Sequence, residues 1–564
     1  MRMRALGLVV ALSVGTLSFG CGPATQTTQT PDTEPSGTAT AGPEAPPDTS
    51  DPFAVSDLLR EEQLPLLKGP APTFNEAALA APVKGVSAPP GSCDAFVKRA
   101  VKKKPTCADK PSTLAAIDAA MNTGDVAARD EMLAAAESCT GIEPGFVRAL
   151  RIELAPIECG DALAEPVLKA KPAGMSGSVQ HTLVGQALSA RLARSVGTPP
   201  KLTGPFDKKK VLDFTKNTLF PWFEEQKNAV ATLSGQGREL GSYGKGLVAL
   251  SSGWAYLRLV EVVREAPIPD EFRKDPEVAN AYFAAVDEKL EPTKQNGRDG
   301  ALVGLGTMAQ AGVLQDERMR STRSLLAKMY GGRRVDALDV LVLPKIPDPE
   351  GATVEQRLAA KLPSFLAGIL LDPNSAKDPK MLRSLLHRGV PMPMRVALKE
   401  GEASLSDEAR LLYGRARLEM GARYWRIVDF DAAVGLFSKV DKAKLDDRSK
   451  LVFATALALR NGPEDVAVLM LKNEGFSPKF GDVRALDTLA KGSSDQAVPG
   501  TASFDAAVIR QIAAPRDADA AYWEKLAERY RDAASKVTDQ NVKYEADERA
   551  KAAAQTAKIK SSSP

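Results

Sequence analysis

Apolar residues along this chain recur at helical spacing and almost nowhere alternate. From Val179 to Arg194 the residues Leu183, Val184, Ala187, Leu188 and Leu192 share one face of a helix, and Val211 to Leu233 carries Phe214, Leu219, Trp222 and Phe223 in the same way. A half-buried strand needs alternating β-branched or aromatic residues. Here aromatics are 5% of the chain and such runs are few. Ala337 to Leu343, closed by Pro344, is the one persuasive extended stretch, and it fits the end of a helix equally well. The pattern predicts an all-α protein. Its 564 residues leave room for about two to four domains, or for one continuous solenoid.

The first residues suggest an address. Met1-Arg2-Met3-Arg4 precedes an apolar run, Ala5 to Leu17, that is too short for an ordinary membrane span, and Ser18-Phe19-Gly20-Cys21 follows. Leu17-Ser18-Phe19-Gly20-Cys21 resembles the lipobox of bacterial lipoproteins, with Leu17 one place early and Phe19 where a small residue is usual. The resemblance implies a signal peptide over 1–20 and a mature chain beginning at a diacylated, palmitate-bearing Cys21. Gly22, in the place where Asp would retain the chain, implies the outer membrane, facing the periplasm. Two or more acyl chains make such anchoring stable. Thr, Pro, Gly, Ala, Glu and Asp then dominate to about Ser50, too few apolar groups to offset ordering. A disordered tether over 21–55 is expected, spanning roughly 30 Å on average.

Cys93, Cys107, Cys139 and Cys159 lie among short amphipathic helices, with Ser112 capping a segment through Met121 and Asp125 opening one through Glu137. An even number of thiols in an exported chain reads as two disulfides. Three pairings are possible, and Cys93 with Cys107 and Cys139 with Cys159 is preferred because each joins neighbouring helices. Each loop contributes about 3 kcal/mol in the chain-entropy model. Zinc is not expected, since no two of these thiols have C-x-x-C spacing and the only histidines are His181 and His387.

Farther along, Leu247 to Val263 is strongly apolar, but Arg258 and Glu261 within it mark a buried core helix. Pro221 is placed to kink or split its helix. Pro276 to Leu290, Gly300 to Ala311 and Asp316 to Met329 read as successive helices. From Leu418 to Val440, Gly421, Tyr424, Phe430, Ala433 and Phe437 fall at the small and aromatic places of the tetratricopeptide repeat, about 34 residues long. One period later only Ala467 and Leu471 keep the pattern, and Phe504 to Val508 echoes Phe430 to Val434. This resemblance to the tetratricopeptide family implies stacked helical hairpins with a concave face that binds protein segments. The expected divisions are 56–172, a disulfide-stapled helical region; 173–345, a helical array; 346–515, tetratricopeptide-like repeats; and 516–564, a capping helix with a fraying tail after Ala550.

Motifs for chemistry do not assemble. Gly174-Met175-Ser176-Gly177-Ser178 lacks the second glycine of a nucleophile elbow, and Gly241-Ser242-Tyr243-Gly244-Lys245-Gly246 lacks the hydroxyl of a P-loop and reads as a glycine hinge. His387 reads as a last-turn residue before Gly389. Neighbouring carboxylates such as Glu224-Glu225 and Asp446-Asp447 diverge on a helix, whereas a glycosidase sets its pair across a cleft. The aromatic pairs Trp222-Phe223 and Tyr424-Trp425 read as core. The 74 basic and 71 acidic residues are interspersed, and the runs Lys102 to Lys104 and Lys208 to Lys210 are short, so nucleic acid is not an expected partner. No catalytic, cofactor-binding or metal-ligating set is expected. The chain reads as a lipid-anchored periplasmic scaffold that binds proteins of a cell-envelope machine, in assembly, secretion, motility or peptidoglycan synthesis. The alternative is a peptidoglycan-processing enzyme with a helical-array body.

Overall fold

A computed structural model describes residues 51–55, 58–63, 82–102, 105–330, 336–345, 348, 351–462, 480–515 and 517–562. Cys21, the expected signal peptide, the expected tether up to residue 50, Ala467 and Leu471 lie outside the described residues. Among the described residues every regular element is helical. The fold is an all-α array of packed helices.

The cysteine-bearing region opens it with α1 (Lys110–Met121) and α2 (Val126–Ala136). Each has an aspartate at its start: Asp109 accepts from the Ser112 amide at 2.9 Å and Asp125 from the Ala128 amide at 2.6 Å. These caps satisfy amides that the first turn cannot bond internally. Ser112 is therefore the third residue of a capping box led by Asp109, not the cap itself. Helices α3 (Phe146–Leu154) and α4 (Gly160–Ala170) follow. The disulfides join Cys93 to Cys159 and Cys107 to Cys139, with Cα separations of 5.3 and 5.2 Å. The expected neighbour pairing is corrected, and the reason is geometric. An antiparallel helical hairpin brings together the residue before its first helix and the residue after its second, which here are Cys107 and Cys139. The outer bond then closes around that hairpin and α3.

Beyond α5 (Gly177–Ser195), Lys208–Phe214 runs through a π-turn, Thr215–Leu219, into α6 (Phe220–Gln236). The wide turn comes just before Pro221, whose ring and missing N–H disrupt the regular ladder. Helix α7 (Ser242–Arg264) is the hub. Its residues Tyr243–Arg264 are long and apolar enough to cross a membrane, yet 83% of the apolar window is buried in the protein. The supposed glycine hinge is the start of this helix: Gly241 is extended at φ −77°, and Gly244 lies where a Cβ would strike the His181 carbonyl. Against α7 packs α8 (Pro276–Gln310), one uninterrupted helix of 35 residues rather than two. Pro292 lies inside it, and the two helices meet closely enough that a Cβ at Gly253 or Gly304 would collide with the opposing backbone of Ala301 or Leu250. That contact holds the helix through a sequence that looks punctuated. Helix α9 (Glu317–Tyr330) completes this part, and Ala337 to Leu343 forms turns and irregular chain.

The remaining helices include α10 (Met392–Glu400), α11 (Asp407–Tyr424), α12 (Ile427–Ser438), α13 (Asp447–Leu459), α14 (Ala497–Ile512), α15 (Ala520–Lys536) and α16 (Gln540–Ser562). Helix α11 serves two apolar cores. Tyr413, Ala416, Met420 and Tyr424 face one that reaches back to Cys93, while Leu418 and Ala422 face a second that continues to Ala553. The first of these cores runs from Cys93 to Leu436. The hairpin of α11 and α12 is tight: a Cβ at Gly421 would lie 2.6 Å from the Phe430 ring, and Tyr424, Phe430, Ala433 and Phe437 are all buried. Trp425, left-handed at φ 52°, ends α11 and lets the chain reverse. After Ala550 the helix continues to Ser562. Ala546, Ala550, Ala553 and Ala557 keep one small-residue stripe buried through the last helix.

Asp505 lies in the second core, fully buried, accepting one hydrogen bond from the Val342 amide at 2.9 Å while its second oxygen has no partner among the described residues. Burial pushes its carboxyl well above the usual range. A raised acid is penalised as pH climbs past its unfolded value of 3.8, because the unfolded chain releases a proton that the folded one keeps. Asp505→Asn is therefore expected to raise stability by about 1 kcal/mol or more at neutral pH. The gap in thermal midpoint between variant and parent should shrink toward pH 4, and a constant gap across pH would refute the account.

Candidate functional site

Residues 51–55 and 58–63 lie as a strap across successive helices of the C-terminal array. At its start Asp51 pairs with Lys442 at 2.5 Å and the Phe53 ring sits 5.6 Å from that of Phe453 on α13. Leu59 rests over Gly435 on α12, where a Cβ would lie 3.1 Å from its methyl group. The strap's backbone is held as well. The Arg60 amide donates to Asp431 at 3.0 Å, and Arg460, at the end of α13, donates to the Leu58 carbonyl at 3.2 Å. Asp431 and Arg460 are themselves paired at 3.1 Å, so one buried ion pair presents an acceptor and a donor to the strap.

Glu62 ends the contact inside a ring of arginines. Arg395 from α10 reaches it at 2.9 Å, Arg417 from α11 at 2.7 Å, and Arg426 from the α11–α12 turn at 2.8 Å. Asp429 on α12 answers Arg417 and Arg426 from the other side, at 2.7 and 2.8 Å. Arg395 also donates to the Ala309 carbonyl at 3.4 Å and to that of Gln310, at the end of α8. Burial would raise the Glu62 carboxyl, but Arg417, Arg395 and Arg426 together outweigh it and bring the carboxyl to about 2. Glu62 is thus a carboxylate at every physiological pH. Three guanidiniums face two carboxylates, one of which comes from the strap.

A second concavity, about 500 Å³, opens between α3, α5, α7 and α9, walled by Ile152, Leu154, Ile157, Trp254 and Pro363. Arg318 binds Glu153 and Asp316 in it, the latter at 2.5 Å. Glu153 also accepts from Tyr243 at 3.0 Å and from Gln186 at 2.9 Å. Burial works to raise the Asp316 carboxyl, but Arg318 and the backbone amides around it hold it below its ordinary value. The cluster ties α3, α5, α7 and α9 together through ion pairs and hydrogen bonds.

His181 lies buried within α5 and accepts the Gly241 amide at 2.8 Å, fixing the start of α7, while His387 ends the helix Pro379–Leu386. Phe430, Ala433 and Phe437 of α12 belong to the core on which Phe53, Val55 and Leu59 pack, while Tyr424 of α11 faces the other core, and Gly421 and Phe430 set how closely the two helices approach. The residues that hold the strap were not singled out from the sequence. The one available signal was the run of apolar Phe53, Val55 and Leu59 at the end of the expected tether. Phe53 and Val55 fall inside the expected tether yet pack on the second core, because their apolar surface has somewhere to go. Comparison with protein-family models, with curated proteins and with solved structures returns no match.

Proposed function

We propose that this protein is a lipid-anchored scaffold of the bacterial cell envelope whose helical array binds extended segments of other proteins. The observation that carries the reading is the strap: a groove across α11, α12 and α13 holds a non-helical stretch of chain by its backbone, its apolar side chains and one carboxylate. These are the elements of extended-peptide recognition by a helical array. The alternative, a peptidoglycan-processing enzyme, calls for a carboxyl kept protonated in an open cleft. Asp316 in the cleft is shifted the opposite way, and Asp505, which is shifted upward, is sealed in the core.

Crosslinking in intact cells, followed by identification of partners, tests the proposal: one envelope complex should be recovered reproducibly. Recovery of none, together with muropeptide turnover by the purified protein, would sink it. Radiolabelled palmitate should be incorporated into the parent chain and not into Cys21→Ala; equal labelling would remove the anchor from the proposal.

A further inference from the structure

We infer that the groove in which residues 51–55 and 58–63 lie is a docking site for an acidic segment of a client protein, with an apolar residue three places before a glutamate, and that the strap is its exchangeable occupant. The inference rests on the scaffold reading above and adds the chemistry of the client and how access to the groove is controlled.

Among the described residues, Glu62 is the one carboxylate paired with Arg395, and Arg417 and Arg426 share Asp429 besides it. Three guanidiniums facing Asp429 without Glu62 would carry an excess of two positive charges, with Arg395 and Arg417 almost fully buried. An ordered anion answers that excess, and any glutamate delivered at the same register does so equally well.

Recognition along the rest of the strap depends little on sequence. Asp431 and Arg460 take the Arg60 amide and the Leu58 carbonyl, groups that every extended chain except one with proline at the donor place can offer. Leu58 is 97% exposed, and the side chains of Arg60 and Glu61 are 45% and 78% exposed. A competitor therefore needs to reproduce only the residue over Gly435, the carboxylate among the arginines, and an apolar residue near Phe453. Lys399 and Lys442 at the two ends add attraction for an acidic segment, as their pairs with Glu61 and Asp51 show. The strap holds the site by being tethered to it, since a covalently linked segment competes at an effective concentration of order millimolar.

The test uses the full chain and a fluorescein-labelled peptide with the sequence of residues 51–63. Fluorescence anisotropy should show the peptide binding Glu62→Gln roughly a hundredfold more tightly than the parent, because the variant's own strap no longer competes well. The same peptide with glutamine in the glutamate's place should bind neither chain. At saturating peptide, hydrogen exchange of the parent's Arg60 amide should accelerate as the strap is displaced. Equal affinity for both chains, or no binding to a Glu62→Gln chain whose circular dichroism and disulfides match the parent, would overturn the inference and make the strap a fixed part of the fold. A scaffold that recruits clients elsewhere would survive that result, and cellular crosslinking would still recover its complex.

Discussion

Glu62→Gln is expected to free residues 58–62 from the groove at neutral pH while the helical array stays folded, with protection of the Arg60 amide falling by about two orders of magnitude. The carboxyl moves from 4.5 to about 2 on folding, which corresponds to about 3 kcal/mol of stability tied to its charge. Breaking a buried ion pair from one side costs about the same, 3–5 kcal/mol, because the abandoned charges stay buried. The sign of the pH dependence follows from the depressed value. The contribution is fully present above pH 4.5 and is lost as pH falls from there toward 2, through protonation of Glu62. Hydrogen exchange, corrected for intrinsic rates, should therefore show the strap loosening in the parent below pH 4.5 and already loose in the variant at pH 7. If the Arg60 amide keeps its protection in Glu62→Gln, the apolar contacts of Phe53, Val55 and Leu59 hold the strap and the arginine ring does not.

The second large effect is expected at the outer disulfide. Cys93 and Cys159 are separated by 66 residues and are almost completely buried, whereas Cys107 and Cys139 are separated by 32 and are partly exposed. With the inner bond shortening the path, the outer one still closes a loop of about 35 residues, worth about 4 kcal/mol in the chain-entropy model. Cys93→Ser with Cys159→Ser should cost that much in the local stability of α1 to α4, read as faster protease cleavage between residues 98 and 145. The rest of the array should keep its protection. Mild reductant should open Cys107–Cys139 first, because accessibility governs attack by thiolate. Simultaneous opening of both bonds, or an unchanged cleavage rate in the double variant, would contradict this.

Features set by local pattern were legible in the sequence. Asp125 caps its helix as the spacing suggests, and Gly421, Phe430 and Phe437 can be placed because all lie on one hairpin. Pro292 and the glycines of α8 looked like punctuation, since their role depends on α7, a partner that sequence spacing does not reveal. The arginine ring was invisible for the same reason. Glu62 lies 333 positions from Arg395 and 364 from Arg426, and each of those arginines alone reads as an ordinary charged residue. The disulfide pairing was within reach, because closing a helical hairpin predicts Cys107 with Cys139. Preference for nearest neighbours led away from it.

Nested pairing also bears on how the chain is made. A growing polypeptide exposes Cys93, then Cys107, then Cys139, and only much later Cys159. An oxidant that joins thiols in their order of appearance would seal Cys93 to Cys107 and strand the last two. Reaching the native state by that route requires a thiol exchange step, so biosynthesis of this protein should depend on a disulfide isomerase more than on the oxidant itself.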